Sequence, residues 1–393
     1  MNVQLNDFYQ VLQEYREFWQ FKPFAYQQWP WQHTDLTASL AQLQLPEIEL
    51  IDSDKERQRQ FFSPYFPAVF SLPELSQIPA PVETPPLPFW LTNGIGGRKL
   101  AQIEAFISHL PQSQLPLLEW CAGKGHLGRL ASFVQQRQVV SAEWQQNLCE
   151  QGQKLAQQWQ LPQQFVPIDV LSAAAAKLLQ PKQHAVALHA CGQLHLSLLQ
   201  QAVTRETEFI SLAPCCYHLI HDSHYQPLST QAQQQNLHLA KFDLQLAVQG
   251  QVTAGRRITQ LRHTEIQWRM AYHALYQDLQ QQVNYRPLAS VGKHWFSGEF
   301  ADFAQWAAAQ HQWQLPAKVD WPFYLDRGRQ LALHVARLDL VRHVFRRPLE
   351  LWLLLDRLVF LREHGYQAEL IAFCDYQTTP RNGLITAQKI AAS

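Results

Sequence analysis

The chain carries little charge. Asp, Glu, Lys and Arg make up 16% of its 393 residues, and 32 basic side chains cancel 32 acidic ones. No global basic field is available to attract nucleic acid, which leaves only a local patch for such binding. Gln takes many of the polar positions, in repeated pairs among Leu, Ala and Trp. These stretches read as polar helix faces and exclude a prion-like tract. Long apolar runs are also missing. The best, Leu351–Phe360, is interrupted by Asp356 and Arg357, so no membrane span is expected. Met1–Asp7 shows neither a basic region nor a hydrophobic signal core, and a cytoplasmic location is expected. Six Cys in this length do not make a disulfide framework. The 13 Trp and 23 Pro argue against disorder, and the length predicts two or three domains.

What is present starts at residues 116–130, Pro-Leu-Leu-Glu-Trp-Cys-Ala-Gly-Lys-Gly-His-Leu-Gly-Arg-Leu. A short apolar run ends in Glu119, Gly123, Gly125 and Gly128 follow as G-x-G-x-x-G, and a helical pattern begins at about Leu127. Strand, glycine turn and helix together predict a nucleotide-cofactor loop. The glycines let the backbone turn tightly and approach a ligand closely. The acid at Glu119 points to S-adenosylmethionine, whose amino group it can hold, in preference to NAD. A second strand ends in Glu143, 20 residues after Gly123, where a carboxylate can accept both ribose hydroxyls. A third, Phe165–Val170, carries Asp169, an acceptor for the adenine amino group. Each acid alone is more often a solvated loop residue. Three at the ends of successive predicted strands converge, because ligands of open α/β sheets bind at the carboxyl ends of the strands. Cys121, Ala122, Lys124 and Leu127 in the turn, Trp144 beside Glu143, and Val170 beside Asp169 complete the expected cofactor lining.

The thiols sit at strand ends. Cys121 lies in the glycine turn, and Cys191 ends a strand that includes His189. Cys215 and Cys216 end Phe209–Pro214, Cys374 follows Glu369–Phe373, and Cys149 lies mid-helix as a small core residue. If the strands are parallel, most thiols and several histidines meet on the cofactor face.

His189-Ala190-Cys191-Gly192 and Pro214-Cys215-Cys216-Tyr217-His218 resemble the paired H-x-C-G and C-C-[YH]-H signatures of a class I methyltransferase group. That group includes ribosomal-RNA-adenine-dimethylase-domain-containing proteins and their bacterial relatives. The chain is also similar to the transfer-RNA 2′-O-methyltransferases of the acceptor stem. The resemblance spans about 89–220 and resumes at about 348–390, where Leu355-Asp356-Arg357-Leu358, His364-Gly365-Tyr366 and Thr379-Pro380-Arg381-Asn382 match the closing pattern. It implies S-adenosylmethionine as cofactor and RNA as acceptor; from the sequence itself no membrane and no obligate protein partner are expected. Within Gly96-Gly97-Arg98-Lys99, Lys99 is carried over as a contact to the methionine carboxylate or to substrate. The zinc-finger arrangement of the transfer-RNA enzymes is not recognised at the N-terminus.

The expected fold is α/β: a Rossmann-like class I methyltransferase sheet with helices on both faces, and an antiparallel last strand implied by the resemblance. Residues 1–88 form an N-terminal helical region closed by a Pro-rich linker at 79–86. Residues 89–220 and 348–393 form the two parts of the core, and 221–347 a mostly helical insertion after the fifth strand. Methyl transfer from a sulfonium is an in-line displacement, so positioning and desolvation carry much of the acceleration. His189, His218 and Tyr217 are the candidate bases for an acceptor proton, an ordinary imidazole titrating near 6.5. A histidine bonded to a backbone carbonyl is the alternative for each. Cys215 is a candidate nucleophile of the kind that adds to a pyrimidine ring, or else the Cys215-Cys216 pair shapes the pocket floor, and Cys191 joins the catalytic candidates. His189, Cys191, His195, Cys215, Cys216 and His218 supply soft metal donors. Adjacent Cys215 and Cys216 on a strand point to opposite faces, so at most one can readily join a single site, and no metal is expected. In the insertion, Arg256, Arg257, Arg262 and Arg269, then Arg342, Arg346 and Arg347, with Trp268, Trp295 and Trp306, are candidates for RNA contact. Helix-end charge and core packing are their plainer roles. Two further functions stay open: methylation of a protein or small molecule, and a cofactor- or metal-binding scaffold without transfer activity.

Overall fold

Apolar runs of four to eight residues bounded by turn signals become the strands of one sheet. The computed structural model describes residues 4–76, 86–249, 256–281 and 284–391. Of the expected Pro-rich linker, residues 79–85 lie outside them. The strands are β1 (Leu117–Trp120), β2 (Val139–Glu143), β3 (Gln163–Pro167), β4 (His184–Cys191), β5 (Phe209–Cys215), β6 (Tyr366–Ala372) and β7 (Gly383–Lys389). Their order is β3-β2-β1-β4-β5-β7-β6. β1 to β5 pair in parallel, and β7 is antiparallel to both β5 and β6. This is the class I methyltransferase sheet that the resemblance implied. Because β1 to β5 are parallel, their carboxyl ends share one edge.

The chain divides into two units, one of Met1–Glu14, Ser71–Gly250 and Arg346–Ser393, the other of Tyr15–Phe70 and Gln251–Phe345. The N-terminal helical stretch therefore contributes to both. In the first unit the helices Gly97–Ser108 and His126–Gln135 pack Ile103, Phe106, Leu127 and Leu130 onto Leu117, Val139 and Val186 of the sheet. The helix Arg346–Glu363 is buried along nearly its whole length. That fits the uninterrupted apolar run Leu351–Leu355 at its centre, since a stretch apolar on every face belongs inside a core. Each fully buried Leu adds roughly 1.5–3 kcal/mol. Of its charged residues, Glu350, Asp356 and Arg357 are buried as well. Asp356 accepts from Leu228 N (3.0 Å), Ser229 N (2.8 Å), Ser229 Oγ (2.7 Å) and the Tyr225 hydroxyl. Arg357 donates through Nε to His195 Nε2 at 2.9 Å and stacks on Tyr217 and Tyr225. The Asp-Arg pair of the closing pattern thus ties this helix to the segment after β5.

In the second unit the helices Arg256–Gln280 and Trp321–His343 pack together. Trp268, Tyr272, Phe296, Phe300 and Phe303 form its core. Trp268 is therefore unavailable to stack on bases, and Trp295 and Trp306 pack against the same core. Arg269 pairs with Glu265 at 2.9 Å and donates to the carbonyls of Leu288 and Ala289. Arg342 is buried against Trp19 O and Asp339. Arg346 and Arg347, in the first unit, hold Gln249 O and Glu350. These arginines serve the fold. Among the described residues, no helix is long and apolar enough to cross a membrane.

Candidate active site

The turn after β1 is built on left-handed backbone. Cys121 (φ 60°), Gly123 (φ 58°) and Gly125 (φ 66°) all have positive φ, which costs a side-chain-bearing residue such as Cys121 about 1–2 kcal/mol. The two glycines differ in what surrounds them. A Cβ on Gly123 would meet nothing within 4 Å, whereas one on Gly125 would lie 2.2 Å from Phe165 Cζ and 2.6 Å from Gln163 Nε2. Open space for a ligand thus lies over Gly123. Gly125, expected from its place in the motif to border the cofactor, instead makes room for a side chain of β3. The fit of the turn to a nucleotide cofactor rests on that empty cradle.

Glu119 is 3% exposed. It accepts from Ser141 Oγ at 2.6 Å and from the Gly128 amide, and burial raises its pKa to about 7. Ser141 in turn accepts from Gln163 Nε2 at 2.9 Å. The carboxylate therefore pins the start of the His126–Gln135 helix to β1 and β2. Glu143, at the end of β2, accepts from Gly123 N at 2.8 Å and Gln145 N at 3.0 Å. Beside it Trp144 is 70% exposed. Asp169 lies two residues past β3, exposed, with Oδ1 accepting from Leu171 N, and Val170 is buried. Ala122 is half-buried, Lys124 exposed and Leu127 buried at the helix start. Burial, then the charge of Glu143, pushes the Cys121 thiol up to about 12, so it stays protonated.

A cavity of about 640 Å³ opens between Gly96, Gly97, Arg98, Lys99, Gln102 and His189. His189 is strained, with φ 65°, and the β4–β5 register shifts between Leu188 and Cys191. Such irregularities re-aim side chains at sheet ends. Its Nε2 pairs with Gln102 Oε1 at 2.7 Å, and Gln102 Nε2 donates to Thr378 O at 3.1 Å. Burial, reinforced by Arg381 nearby, lowers the His189 pKa to about 4. It is neutral at pH 7, but a weaker base than the ordinary imidazole expected from sequence. Gln102 and Arg381 were not singled out as site residues. Gln102 lies three residues after Lys99, on the same face of its helix, and that spacing was the available signal.

The two signatures lock together. Gly192 has φ 51°, and a Cβ there would sit 2.1 Å from Leu219 O. Gly192 N donates to Cys215 O at 3.1 Å and Gln193 N to Leu219 O at 2.7 Å. Glycine is required because the turn after β5 lies directly on this backbone. Tyr217 is 1% exposed and lies on Arg357. Burial, with the Glu350 charge next, pushes its hydroxyl well above the usual range, so it remains protonated at neutral pH. His195 is fully engaged, Nδ1–H to Ala190 O and Nε2 to Arg357, and is removed from the metal donors. His218 is half-buried, with Nδ1 buried and unpartnered.

The expectation that Cys215 and Cys216 diverge fails. β5 ends at Cys215 and Cys216 turns to φ 48°, so the strict alternation of a strand no longer applies. The Sγ atoms of Cys191, Cys215 and Cys216 all lie within 4.8 Å of one another, with Cys191 and Cys215 at 3.4 Å. Thiol hydrogen bonds from Cys191 and Cys215 pull the Cys216 pKa down, and the same contacts hold Cys215 up. Cys215 is thus the buried, protonated member, which disfavours it as a nucleophile.

Residues 98–223 match the Methyltransf_32 family, described as a methyltransferase domain. Among solved structures, the cyclopropane synthase MmaA2 from Mycobacterium tuberculosis is similar at 11% identity and a TM-score of 0.26, covering 75% of this chain and 85% of that one. No curated protein sequence matches. From the sheet order and the family match, the chain carries a class I S-adenosylmethionine-dependent methyltransferase domain, of which residues 98–223 supply β1 to β5.

Proposed function

We propose that this chain methylates RNA from S-adenosylmethionine, at the carboxyl ends of β1, β2 and β4. One observation carries the reading: the open backbone at Gly123, the Glu143 carboxylate and the His189 ring all lie at the ends of neighbouring parallel strands. When bound, the cofactor supplies an electrophilic methyl group. The turn Cys121–Gly123, with Glu143, Trp144, Asp169, Val170 and Lys99, would hold it. Glu119 acts through the turn, by fixing the helix start that shapes it, and Leu127 and Lys124 frame the same turn. Arg98 and Lys99, exposed at the mouth of the cavity, suit a phosphate backbone. His189 donates its Nε2–H to Gln102 Oε1, which leaves Nδ1 as the ring's acceptor. A ring of such low basicity suits a base nitrogen, whose proton can leave after transfer, better than a ribose hydroxyl. Cys191, Tyr217 and His218 position that ring and its surroundings. A protein or small-molecule acceptor is favoured by one fact, the engagement of the arginines named above within the fold.

The test is calorimetry of the full chain with S-adenosylmethionine and S-adenosylhomocysteine, followed by transfer of labelled methyl to cellular RNA and protein fractions. Micromolar binding and ribonuclease-sensitive label are expected. Label confined to protein overturns the RNA reading. Absence of binding by a folded chain overturns the cofactor reading.

A further inference from the structure

The three thiols at the ends of β4 and β5 are more than a pocket floor. Their Sγ atoms group within 4.8 Å, and among the described residues no fourth His, Cys, Asp or Glu donor joins that group. Two thiolates sharing one zinc at about 2.3 Å per bond sit about 3.8 Å apart, inside the span observed. The chain adopts two costly left-handed residues, His189 and Cys216, on either side of the cluster, and a glycine-only contact at Gly192 holds the two turns together. Strain of this kind persists where the surrounding structure enforces it, and it gathers at functional sites. A cation is also near: Arg381 acts electrostatically on both Cys216 and His189, which offsets the negative charge of a thiolate cluster.

We propose that Cys191, Cys215 and Cys216 form a three-thiolate site for a closed-shell thiophilic cation, Zn2+ or Cu+. Soft sulfur donors select these ions. Three protein ligands fill the coordination of Cu+ and leave Zn2+ one open position, as in sites where zinc meets a water or substrate. On binding, each S–H bond still present is replaced by an S–metal bond and its proton passes to solvent, so affinity rises with pH. The proposal is independent of the acceptor and of cofactor binding.

The experiment uses the full chain, reduced and stripped with a chelator. Zn2+ is titrated against a chromophoric chelator, Cu+ against a copper(I) chelator, and Co2+ serves as the spectroscopic probe. One equivalent of Zn2+ or Cu+ per chain is expected, with thiolate-to-cobalt charge-transfer absorption in the near ultraviolet. Cys216→Ser, at a half-buried position, weakens binding by about a hundredfold or more. Cys149→Ala, in the Gln146–Gln158 helix, leaves it unchanged. Circular dichroism verifies that each variant folds, and Cys191→Ser provides a second ligand test. A folded, reduced chain that binds neither ion overturns the proposal. Binding that survives Cys216→Ser, or rapid formation of a Cys191–Cys215 disulfide in a chain without metal affinity, also overturns it.

Discussion

Gly123 and Gly125 sit two residues apart in one turn, and the structure gives them opposite jobs. Alanine at either incurs the left-handed penalty, about 1–2 kcal/mol. At Gly123 that is the whole folding cost, because nothing lies within 4 Å of the new methyl. The methyl instead intrudes where the cofactor meets the backbone, and S-adenosylmethionine affinity should fall at least about tenfold, or roughly 1.4 kcal/mol. At Gly125 the methyl would lie 2.2 Å from Phe165 Cζ. Phe165 has no slack on its other side, since a Cβ on Gly152 would meet the same atom at 2.2 Å. Overpacking adds about 1–3 kcal/mol, for a total of roughly 2–5 kcal/mol of lost stability. Urea unfolding and calorimetry measure the two effects separately. A double-mutant cycle with Phe165→Leu should recover at least about 0.5 kcal/mol of the Gly125→Ala loss. Wild-type stability for Gly125→Ala, additive effects in the cycle, or unchanged cofactor affinity in Gly123→Ala would each refute this division of labour.

Glu119 supplies a pH test. Its folded pKa is about 7 against an ordinary 4.5, so the folded chain holds a proton that the unfolded chain has lost. Stability is full below about 4.5 and falls as pH rises through 7, by about 3 kcal/mol. Glu119→Gln keeps the acceptor for Ser141 and removes this loss, so urea midpoints at pH 5 and 8 should converge relative to wild type. Trp144→Ala, at an exposed position, should leave the melting temperature unchanged and lower cofactor affinity about tenfold; unchanged affinity by calorimetry would count against Trp144 as a cofactor contact. Asp356→Ala leaves four hydrogen bonds of the Tyr225–Ser229 segment without an acceptor and loosens Tyr225, which Arg357 also contacts. It should cost about 3–5 kcal/mol, read by chemical denaturation.

The sheet was legible because its strands are short apolar runs ending in polar turn residues, as at Glu143. The glycine turn was legible because only glycine tolerates such backbone freely. The order of the strands came from the resemblance, since local periodicity does not encode which strands pair. What sequence could not give was local departure from ideal geometry. Cys216 looks like the next residue of a strand, and only its left-handed backbone brings its sulfur round to Cys215. His189 looks like an ordinary imidazole, and only its burial beside Gln102 and Arg381 makes it a poor base. Trp268 and Arg269 read as a surface for bases because their type suits one. Their packing partners lie far along the chain or in other helices.

β5 is completed laterally by β7, which runs antiparallel to it. On the ribosome, all of the segment between Cys215 and Gly383 is synthesised before that partner exists. At about 5–20 residues per second, the outer edge of β5 stays uncapped for roughly ten to thirty seconds. A nascent chain in this state presents unpaired backbone donors and acceptors beside a buried-type apolar strand, the feature that invites strand-to-strand aggregation. Chains arrested or truncated before Gly383 should therefore depend on chaperones for solubility even though the glycine turn and most of the thiols are already in place.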